Sequence, residues 1–599
     1  MAENIMDWDL KSYFPEFKGI EMNEFKSELE QKIKTTYDKA LKLKDADGKT
    51  EPWEEVLSDI EDLSQKYSHI RSYIGCLASA DANNQDYLKE EADFSLIGAE
   101  FQKIEVVVLS TLEDMSEDMV NKIIALESIE GAAYYIRRLY EESKKRMSNE
   151  KEILATELGV DGLSSWGRLY NTVSGKLTFE MKYPDGTVKE IPMSQRRSLL
   201  ENPDREIRKE AFHGGNRAWE GIEDVAAASL NAISGTRLTL NKHRGVDHFL
   251  DVAMFQSAVS RDTLDAMFGA IYDQIEVPKS ILRHKAETMG KDKVSWYDLG
   301  APIDLESSEV IDWEKAKSMV YESFKDSYPL LGNFVKEVYD KNWIDWSPRS
   351  GKRPGGFCTG SMLTNESRIY MTYNDSLGDV LTLAHEAGHA FHSYVMKDVR
   401  PFGHYYPMTL AETASTFGEM ILAQGILNNE GISDDEKTLI LDTEVNHAAI
   451  YLMDIPVRYE FEKSLYEERD NGILNPTRLK ELMVETQEKV FCDILDEKDP
   501  YFWASKLHFY ITGVTFYNFP YTFGFLLSRA IFKKFAEQGS DFLEQYEYFL
   551  NISGSYDCEE VVSKSLGEDI TSKDFWADSI KTLEEPLGKL KGILAKRTG

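Results

Sequence analysis

The sequence predicts a mainly α-helical protein. Long stretches place apolar residues three and four positions apart, which is the spacing of amphipathic helices. Only two short regions of the 599 residues depart clearly from this spacing, and 42% hydrophobic residues provide material for a large core. The first clear helical segments are Phe25–Lys44, Trp53–Ala80 and Asp86–Leu112.

The first departure from helical spacing predicts a β-hairpin. Apolar and polar residues alternate across Ser174–Met193, on both sides of the turn sequence Pro184-Asp185-Gly186. Helical spacing resumes at Ser194. We therefore predict an N-terminal helical lobe over residues 1–195, ending in the hairpin, and a larger domain over residues 196–599.

The second departure lies within Trp346–Asp379. It combines a glycine-rich loop at Gly355-Gly356 with an alternating, aromatic and β-branched stretch. That composition predicts a strand around Arg368–Tyr373. Such a strand could align a peptide by pairing with it, and the loop could fold over that peptide.

The charge balance excludes several classes of protein. With 69 Lys and Arg against 104 Asp and Glu, the net charge is −35, and the densest basic run is Lys144–Arg146. We therefore expect neither a nucleic-acid nor a membrane partner.

The chain contains no run of about 18 to 20 apolar residues and no signal-like start, so a cytoplasmic location is expected. Its four scattered cysteines predict no disulfide framework.

The segment Asp379–Val395 contains the residues with the clearest chemistry. His385 and His389 are four positions apart, so on a helix both imidazoles face the same side and can bind one divalent ion. Glu386 is adjacent, where it can take a proton from a water molecule that the ion activates. The apolar flanks indicate a buried helix, where unpaired His and Glu would be costly. Imidazole ligands favour zinc.

A catalytic zinc site usually needs a third protein ligand, and the next helix, Tyr406–Leu427, offers Glu412 and Glu419. Two roles for Glu412 remain open, because Thr409 to Glu412 also matches a capping box. Glu419 could orient a ligating histidine or lie on a solvated face. His392, one turn beyond His389, is expected to pack or to support a ligand.

These motifs resemble the oligoendopeptidase F family, bacterial relatives of thimet oligopeptidase. The resemblance rests on HEAGHAFH at His385–His392, with Gly388 inside the motif, and on the glutamate of LAETAST, which is separated from His389 by 22 residues. It implies that Glu412 is the third ligand of one zinc ion per chain. It also implies a two-lobed, mainly helical metallopeptidase whose deep central channel admits short peptides.

A second resemblance lies in His508–Phe532. In the family, a histidine and tyrosines of this region bind the scissile carbonyl over the zinc, and here they correspond to His508, Tyr517 and Tyr521, with Tyr510 less closely matched. Tyr and His side chains can donate hydrogen bonds to an oxyanion. An aromatic core helix would give the same pattern.

The sequence thus predicts a zinc metalloendopeptidase that hydrolyses internal bonds of oligopeptides, with Glu386 as general base. Two alternatives remain: an exopeptidase that releases dipeptides, and a non-catalytic peptide-binding protein. Oligomeric state and cleavage-site preference are left open.

Overall fold

The computed structural model describes residues 6–46, 48–303 and 310–598, and most of them are helical. The mainly α class predicted from sequence is therefore confirmed. No described helix has the length and apolar composition needed to cross a membrane. The helices are α1 (Ile20–Leu41), α2 (Glu51–Ala80), α3 (Gln85–Glu113), α4 (Glu117–Ile124), α5 (Ala133–Lys144), α6 (Asn149–Asp161), α7 (Leu163–Gly175), α8 (Arg196–Leu200), α9 (Arg205–Glu220), α10 (Glu223–His243), α11 (Leu250–Ser257), α12 (Arg261–Asp273), α13 (Glu276–Thr288), α14 (Trp313–Ser327), α15 (Pro329–Asp340), α16 (Leu377–Val395), α17 (Met408–Asn428), α18 (Asp434–Ala449), α19 (Ile455–Arg469), α20 (Pro476–Phe491), α21 (Phe502–Ser505), α22 (Phe519–Gln538), α23 (Leu543–Ile552), α24 (Cys558–Leu566), α25 (Lys573–Lys581) and α26 (Glu584–Thr598).

Within the described residues, five strands form two small sheets. The hairpin predicted around Gly186 is present: β1 (Thr178–Lys182) pairs antiparallel with β2 (Val188–Pro192). Gly186 has a φ of 85°, a backbone conformation that is strained in residues with a side chain. The second sheet contains β3 (Ile344–Asp345), β4 (Phe357–Ser361) and β5 (Glu366–Tyr370).

The order of the second sheet argues against one expectation. β5, the strand predicted around Arg368–Tyr373, lies between β3 and β4, and its residues Ile369 and Tyr370 pair with both neighbours. These two residues have no free backbone groups with which to accept a peptide as an additional strand. That this strand aligns a substrate therefore stays a prediction, and the edge strands of this sheet are β3 and β4.

By its internal contacts the chain divides into two compact units, each built from three segments. Unit 1 comprises Met1–Lys145, Glu309–Ile432 and Ile531–Glu568, and unit 2 comprises Arg146–Ser308, Ser433–Ala530 and Asp569–Gly599. The predicted division into residues 1–195 and 196–599, and the channel implied by the family resemblance, stay predictions.

Unit 1 contains α16 and α17. A large apolar cluster, formed mainly by α1 to α5, includes Tyr370 at the end of β5. α16 packs on β5 and on α17, and α17 packs on α14. In unit 2, the β1–β2 hairpin packs on α9, and α10 packs on α7 and α19.

Candidate metal centre and its surroundings

The helix α16 brings the two predicted histidine ligands together. It begins with a capping box in which Ser376 and Asp379 bond each other's backbone N–H groups. His385 and His389 follow one turn apart on its partly exposed side, with ring centroids 4.9 Å apart. The opposite face is buried because the apolar residues recur at helical spacing.

Glu412, on α17, faces both histidines. Its Oε2 atom lies 3.4 Å from His385 Nε2 and 3.6 Å from His389 Nε2, and it accepts a hydrogen bond of 3.0 Å from Ser415 Oγ. The capping alternative for Glu412 is wrong, because α17 begins after Pro407 without a side-chain cap.

Glycines allow the two helices to approach closely. A Cβ atom on Gly388 would lie 2.4 Å from the carbonyl oxygen of Ala414, and one on Gly418 would lie 2.8 Å from that of Ala384. Since both obstacles are backbone atoms, a side chain at either position would push α17 away from α16. Gly388 within the histidine motif thus brings Glu412 within reach of the histidines.

The donor set fits a tetrahedral metal ion. One atom from each of His385, His389 and Glu412 can be chosen so that all three lie within 4.8 Å of one another. Two ligands bound about 2.0 to 2.1 Å from zinc at a tetrahedral angle are about 3.4 Å apart. The separations of Glu412 Oε2 from His385 Nε2 and His389 Nε2, 3.4 and 3.6 Å, match that spacing. Three protein ligands also leave one position open, as catalytic sites require.

A second glutamate fixes the orientation of His385. The Nδ1–H group donates a hydrogen bond of 2.6 Å to Glu419 Oε1, which directs Nε2 towards Glu412. Burial acts to lower the pKa of His385, but the bond to Glu419 and the charges of Glu412 and Glu386 raise it to about 9. The electrostatic potential at the site is therefore negative, which favours a bound cation. Of the two roles left open for Glu419, this hydrogen bond supports the one that orients His385.

Glu386 is the buried acid of the site. It is 7% exposed, and burial raises its pKa to about 7, with Glu412 and Glu419 adding to the rise and His385 opposing it. Its Oε2 atom has no hydrogen-bond partner within the described part of the chain. A buried carboxyl oxygen without a partner is costly, and such atoms often serve a ligand or a reacting proton.

The start of β4 lies beside this acid. A Cβ atom on Gly356 would lie 3.3 Å from Glu386 Oε1, so a side chain there would crowd the carboxyl group. The preceding Gly355 has a φ of 105°, a conformation that favours glycine. The sequence drew attention to this glycine pair but did not predict strand β4.

The three C-terminal candidates come together in unit 2. The Tyr521 hydroxyl donates to the Tyr517 hydroxyl at 3.2 Å, and the His508 and Tyr517 rings are 5.0 Å apart, edge to face. Tyr510 instead stacks on Tyr170, and its buried hydroxyl donates to the carbonyl of Trp503, which is a structural role. Sequence reasoning missed Asn518, which bonds His508.

His392 is fully buried in unit 1. Its Nε2 atom lies 3.0 Å from Ser553 Oγ and 3.2 Å from the carbonyl oxygen of Leu550, and its ring stacks on Tyr406. The expected packing role is confirmed.

This helical fold places two histidines and a glutamate beside a buried acid that could act as a general base. That arrangement is typical of metal-dependent hydrolases. The sequence model "Peptidase family M3" matches residues 198–582, and the model "Oligopeptidase F" matches residues 112–179. The chain belongs to peptidase family M3, and the resemblance drawn from HEAGHAFH is confirmed.

Named relatives agree with this assignment. The chain is 23% identical to oligopeptidase PepF of Bacillus subtilis over 556 residues, covering 90% of this chain and 81% of the relative. It is 24% identical to an oligoendopeptidase F homologue of Lactococcus lactis, covering 99% of this chain and 98% of the relative. The crystal structure of oligoendopeptidase F from Enterococcus faecium has a similar fold, with a TM-score of 0.71 at 19% identity, covering 96% and 100% of the two chains.

Proposed function

We propose that this family M3 peptidase is a zinc-dependent endopeptidase that cleaves oligopeptides. One observation carries the proposal: His385, His389 and Glu412 form a three-ligand cluster beside the buried acid Glu386. The names of the relatives, oligopeptidase and oligoendopeptidase, support peptides as substrates and internal cleavage. The match to family M3 supports a resident metal ion.

His385, His389 and Glu412 would hold the zinc ion. A zinc ion at this site supplies Lewis-acid chemistry, which polarises a peptide carbonyl and makes water more nucleophilic. Glu419 would keep His385 oriented through its hydrogen bond of 2.6 Å.

Glu386 is proposed as the general base and then the general acid. Burial acts to raise the pKa of this carboxyl group, which favours its uptake of a proton from water. Its partnerless Oε2 atom would take a proton from the attacking water and deliver it to the leaving amine nitrogen. The same atom performs both transfers, so no second acid is needed.

Tyr517 and Tyr521 are proposed to donate hydrogen bonds to the oxyanion that forms at the scissile carbonyl. Family resemblance supports this role, and the hydroxyl contact of 3.2 Å supports joint action of the pair. The third predicted member, His508, is proposed to act with them, as the family resemblance implies.

We further propose that the peptide pairs with β4 rather than with β5. β4 is an edge strand of its sheet, and edge strands offer unpaired backbone groups to an extended peptide. Its first residue, Phe357, directly follows Gly356, whose Cα is near the Glu386 carboxyl group. A peptide on this edge would therefore lie beside the proposed base.

The remaining predictions stand as proposals with partial support. A domain boundary at residue 195 agrees with the two family matches, which end at residue 179 and begin at residue 198. The cytoplasmic location agrees with four free cysteines, as expected in a reducing compartment.

The deciding experiment uses peptides blocked at both ends, about 5 to 30 residues long, with product masses measured with and without a zinc chelator. Chelator-sensitive internal cuts are expected. Trimming of unblocked peptides alone would indicate an exopeptidase, and no cleavage of either would indicate a binding protein.

Two variants make this test specific. Glu386→Gln should keep zinc and lose about 10²- to 10⁴-fold in kcat, because only the proton-transfer group is removed. Glu430→Gln makes the same chemical change at an exposed site and should retain full activity. Full activity of Glu386→Gln would refute the base assignment.

A further inference from the structure

The loop between β3 and β4 in unit 1 is held by a buried cluster of charged side chains. Asp345, the last residue of β3, is fully buried. Its Oδ1 atom accepts a hydrogen bond of 2.9 Å from the Asp7 N–H group, and its Oδ2 atom accepts one of 2.6 Å from Arg349 Nη2. The same Oδ2 atom lies 3.3 Å from Lys352 Nζ. One carboxylate thus binds the N-terminal segment and two cationic side chains of the loop.

Lys352 is tied to the ends of two strands. Its ammonium group donates hydrogen bonds of 3.1 Å to the carbonyl oxygen of Asp345 and of 2.6 Å to that of Met371, the residue after β5. The Lys352 side chain is 3% exposed, and Nζ lies 4.8 Å from the centre of the Tyr370 ring. Together with the Asp345 carboxylate, the two carbonyls provide one acceptor for each of the three ammonium hydrogens.

The next residue extends this anchor to α2 and α3. The Arg353 N–H group donates a hydrogen bond of 3.0 Å to the carbonyl oxygen of Ser79. The guanidinium group binds both carboxylate oxygens of Glu91, at 2.9 and 2.7 Å, and the Tyr370 hydroxyl lies 2.7 Å from the Arg353 carbonyl oxygen. Lys352 and Arg353 therefore fix the loop to two strands and two helices of unit 1.

The anchored residues end just before the proposed base. Arg353 is followed by Pro354–Gly356, three exposed residues that lead into β4. A Cβ atom on Gly356 would be 3.3 Å from Glu386 Oε1, so the backbone at Gly356 forms one wall beside this carboxyl group. Because only three residues intervene, the position of that wall depends on where Lys352 and Arg353 are held.

The cluster is better suited to fix a position than to stabilise the fold. Burial lowers the pKa of Lys352, while the charge of Asp345 opposes this and that of Arg349 adds to it. The site thus disfavours the ammonium charge that it contains. Apolar residues of similar volume often replace buried ion pairs without loss of stability. Hydrogen bonds, in contrast to apolar contacts, fix the direction of donor and acceptor.

We propose that Lys352 and Asp345 are positioning residues for the general base, because they hold the loop so that Gly356 stays against Glu386. The inference rests on the proposed function, which gives Glu386 its catalytic role. The loop is then a fixed wall that keeps the carboxyl group in one orientation, rather than a lid that folds over the peptide. A proton-transfer group loses effectiveness when its orientation is lost.

The anchor is tested by hydrogen exchange of the full-length protein, measured by mass spectrometry at the amides of Ser347 and Arg353, which donate hydrogen bonds in the loop. Lys352→Met keeps a side chain of similar length and removes its hydrogen bonds. Exchange in the loop should become at least about 10-fold faster, the value of charge-assisted hydrogen bonds. Lys336→Met makes the same change at an exposed position and should leave this exchange unaltered. Unaltered exchange in Lys352→Met would overturn the proposal.

The link from the anchor to Glu386 is tested by a double-mutant cycle. Lys352→Met should lower kcat about 10- to 100-fold with little change in KM and with wild-type zinc affinity, because the base loses its position while the metal ligands keep theirs. In the Glu386→Gln background the same change should cost less than about 3-fold, since no base remains to be positioned. A loss of equal size in both backgrounds would indicate a general structural effect and overturn the positioning role.

A second variant keeps the test decisive if Lys352→Met does not fold. Asp345→Asn preserves the shape of the side chain and the carbonyl that binds Lys352, but it removes the carboxylate charge. It should show faster exchange in the loop and the same dependence on Glu386, and equal losses with and without Glu386 would again overturn the proposal. Failure of wild type to cleave any peptide would refute the proposed function, whereas the exchange measurements would still decide whether Lys352 anchors the loop.

Discussion

Replacing Gly388 with alanine should separate the ligands of the metal centre. The added Cβ atom would lie 2.4 Å from the carbonyl oxygen of Ala414, 2.6 Å from Ser415 Cα and 2.8 Å from the carbonyl carbon of Ala414. These are backbone atoms of α17, so no side-chain rotation can relieve the overlap. Restoring an ordinary contact distance of 3.4 Å requires the backbone of α17 to withdraw by about 1 Å.

A displacement of about 1 Å exceeds the tolerance of a metal site, in which ligand distances are kept within about 0.2 Å. Glu412 is two residues before Ala414 on the same helix and would move away from both histidines. We therefore expect Gly388→Ala to lose at least about 10-fold in zinc affinity. The overlap itself should lower the free energy of unfolding by about 1 to 3 kcal/mol.

Zinc affinity is measured by competition with a chromophoric chelator, and the free energy of unfolding by urea titration. Gly378→Ala is the matched control: it lies on the same helix, and the nearest atom to its added Cβ is Ser376 Oγ at 3.7 Å. The control should bind zinc like wild type and be slightly more stable, because alanine is the better helix former. Wild-type zinc affinity in Gly388→Ala would refute the argument that close helix packing positions Glu412.

Three further predictions concern other side chains. Glu419→Ala should lower zinc affinity about 10- to 100-fold, because His385 loses the partner that orients it; unchanged affinity would contradict the supporting role. Tyr521→Phe should lower kcat about 10²- to 10³-fold with little change in KM, since an oxyanion donor acts in the transition state; an effect on KM alone would count against it. Burial raises the pKa of Glu462 to about 7, although the hydrogen bond from the Phe516 N–H group acts to lower it. In the unfolded chain the pKa of a glutamate carboxyl group is about 4.5, so the folded state keeps the carboxyl proton to higher pH. The free energy of unfolding of wild type should therefore fall as pH rises from about 5 to about 8. In urea titrations, Glu462→Gln should be more stable than wild type at about pH 8 but not at about pH 5. A stability difference that does not change with pH would contradict this prediction.

Helical periodicity predicted two of the three proposed protein ligands of the metal site, His385 and His389. A helix repeats every 3.6 residues, so two histidines four positions apart must share a face wherever the helix lies. The same argument placed the β-hairpin, because Gly186 and the flanking alternation are local features. Such predictions succeed because they depend only on neighbours in the chain.

The third ligand could not be derived in this way. Thr409 to Glu412 satisfies the capping pattern as well as the ligand role, and only the packing of α17 on α16 distinguishes them. The family resemblance favours the ligand role, and the packing agrees with it: Gly388 and Gly418 allow an approach that brings Glu412 Oε2 within 3.4 Å of His385 Nε2.

The sequence by itself determined the helical class, the hairpin, the histidine pair and its neighbouring acid, because each is set by local spacing. Tertiary structure alone decided that β5 is a central strand, that Glu419 contacts His385, and that Asn518 contacts His508. These outcomes depend on which elements become neighbours in space, and hydrogen-bond direction follows from that neighbourhood rather than from the order of residues in the chain.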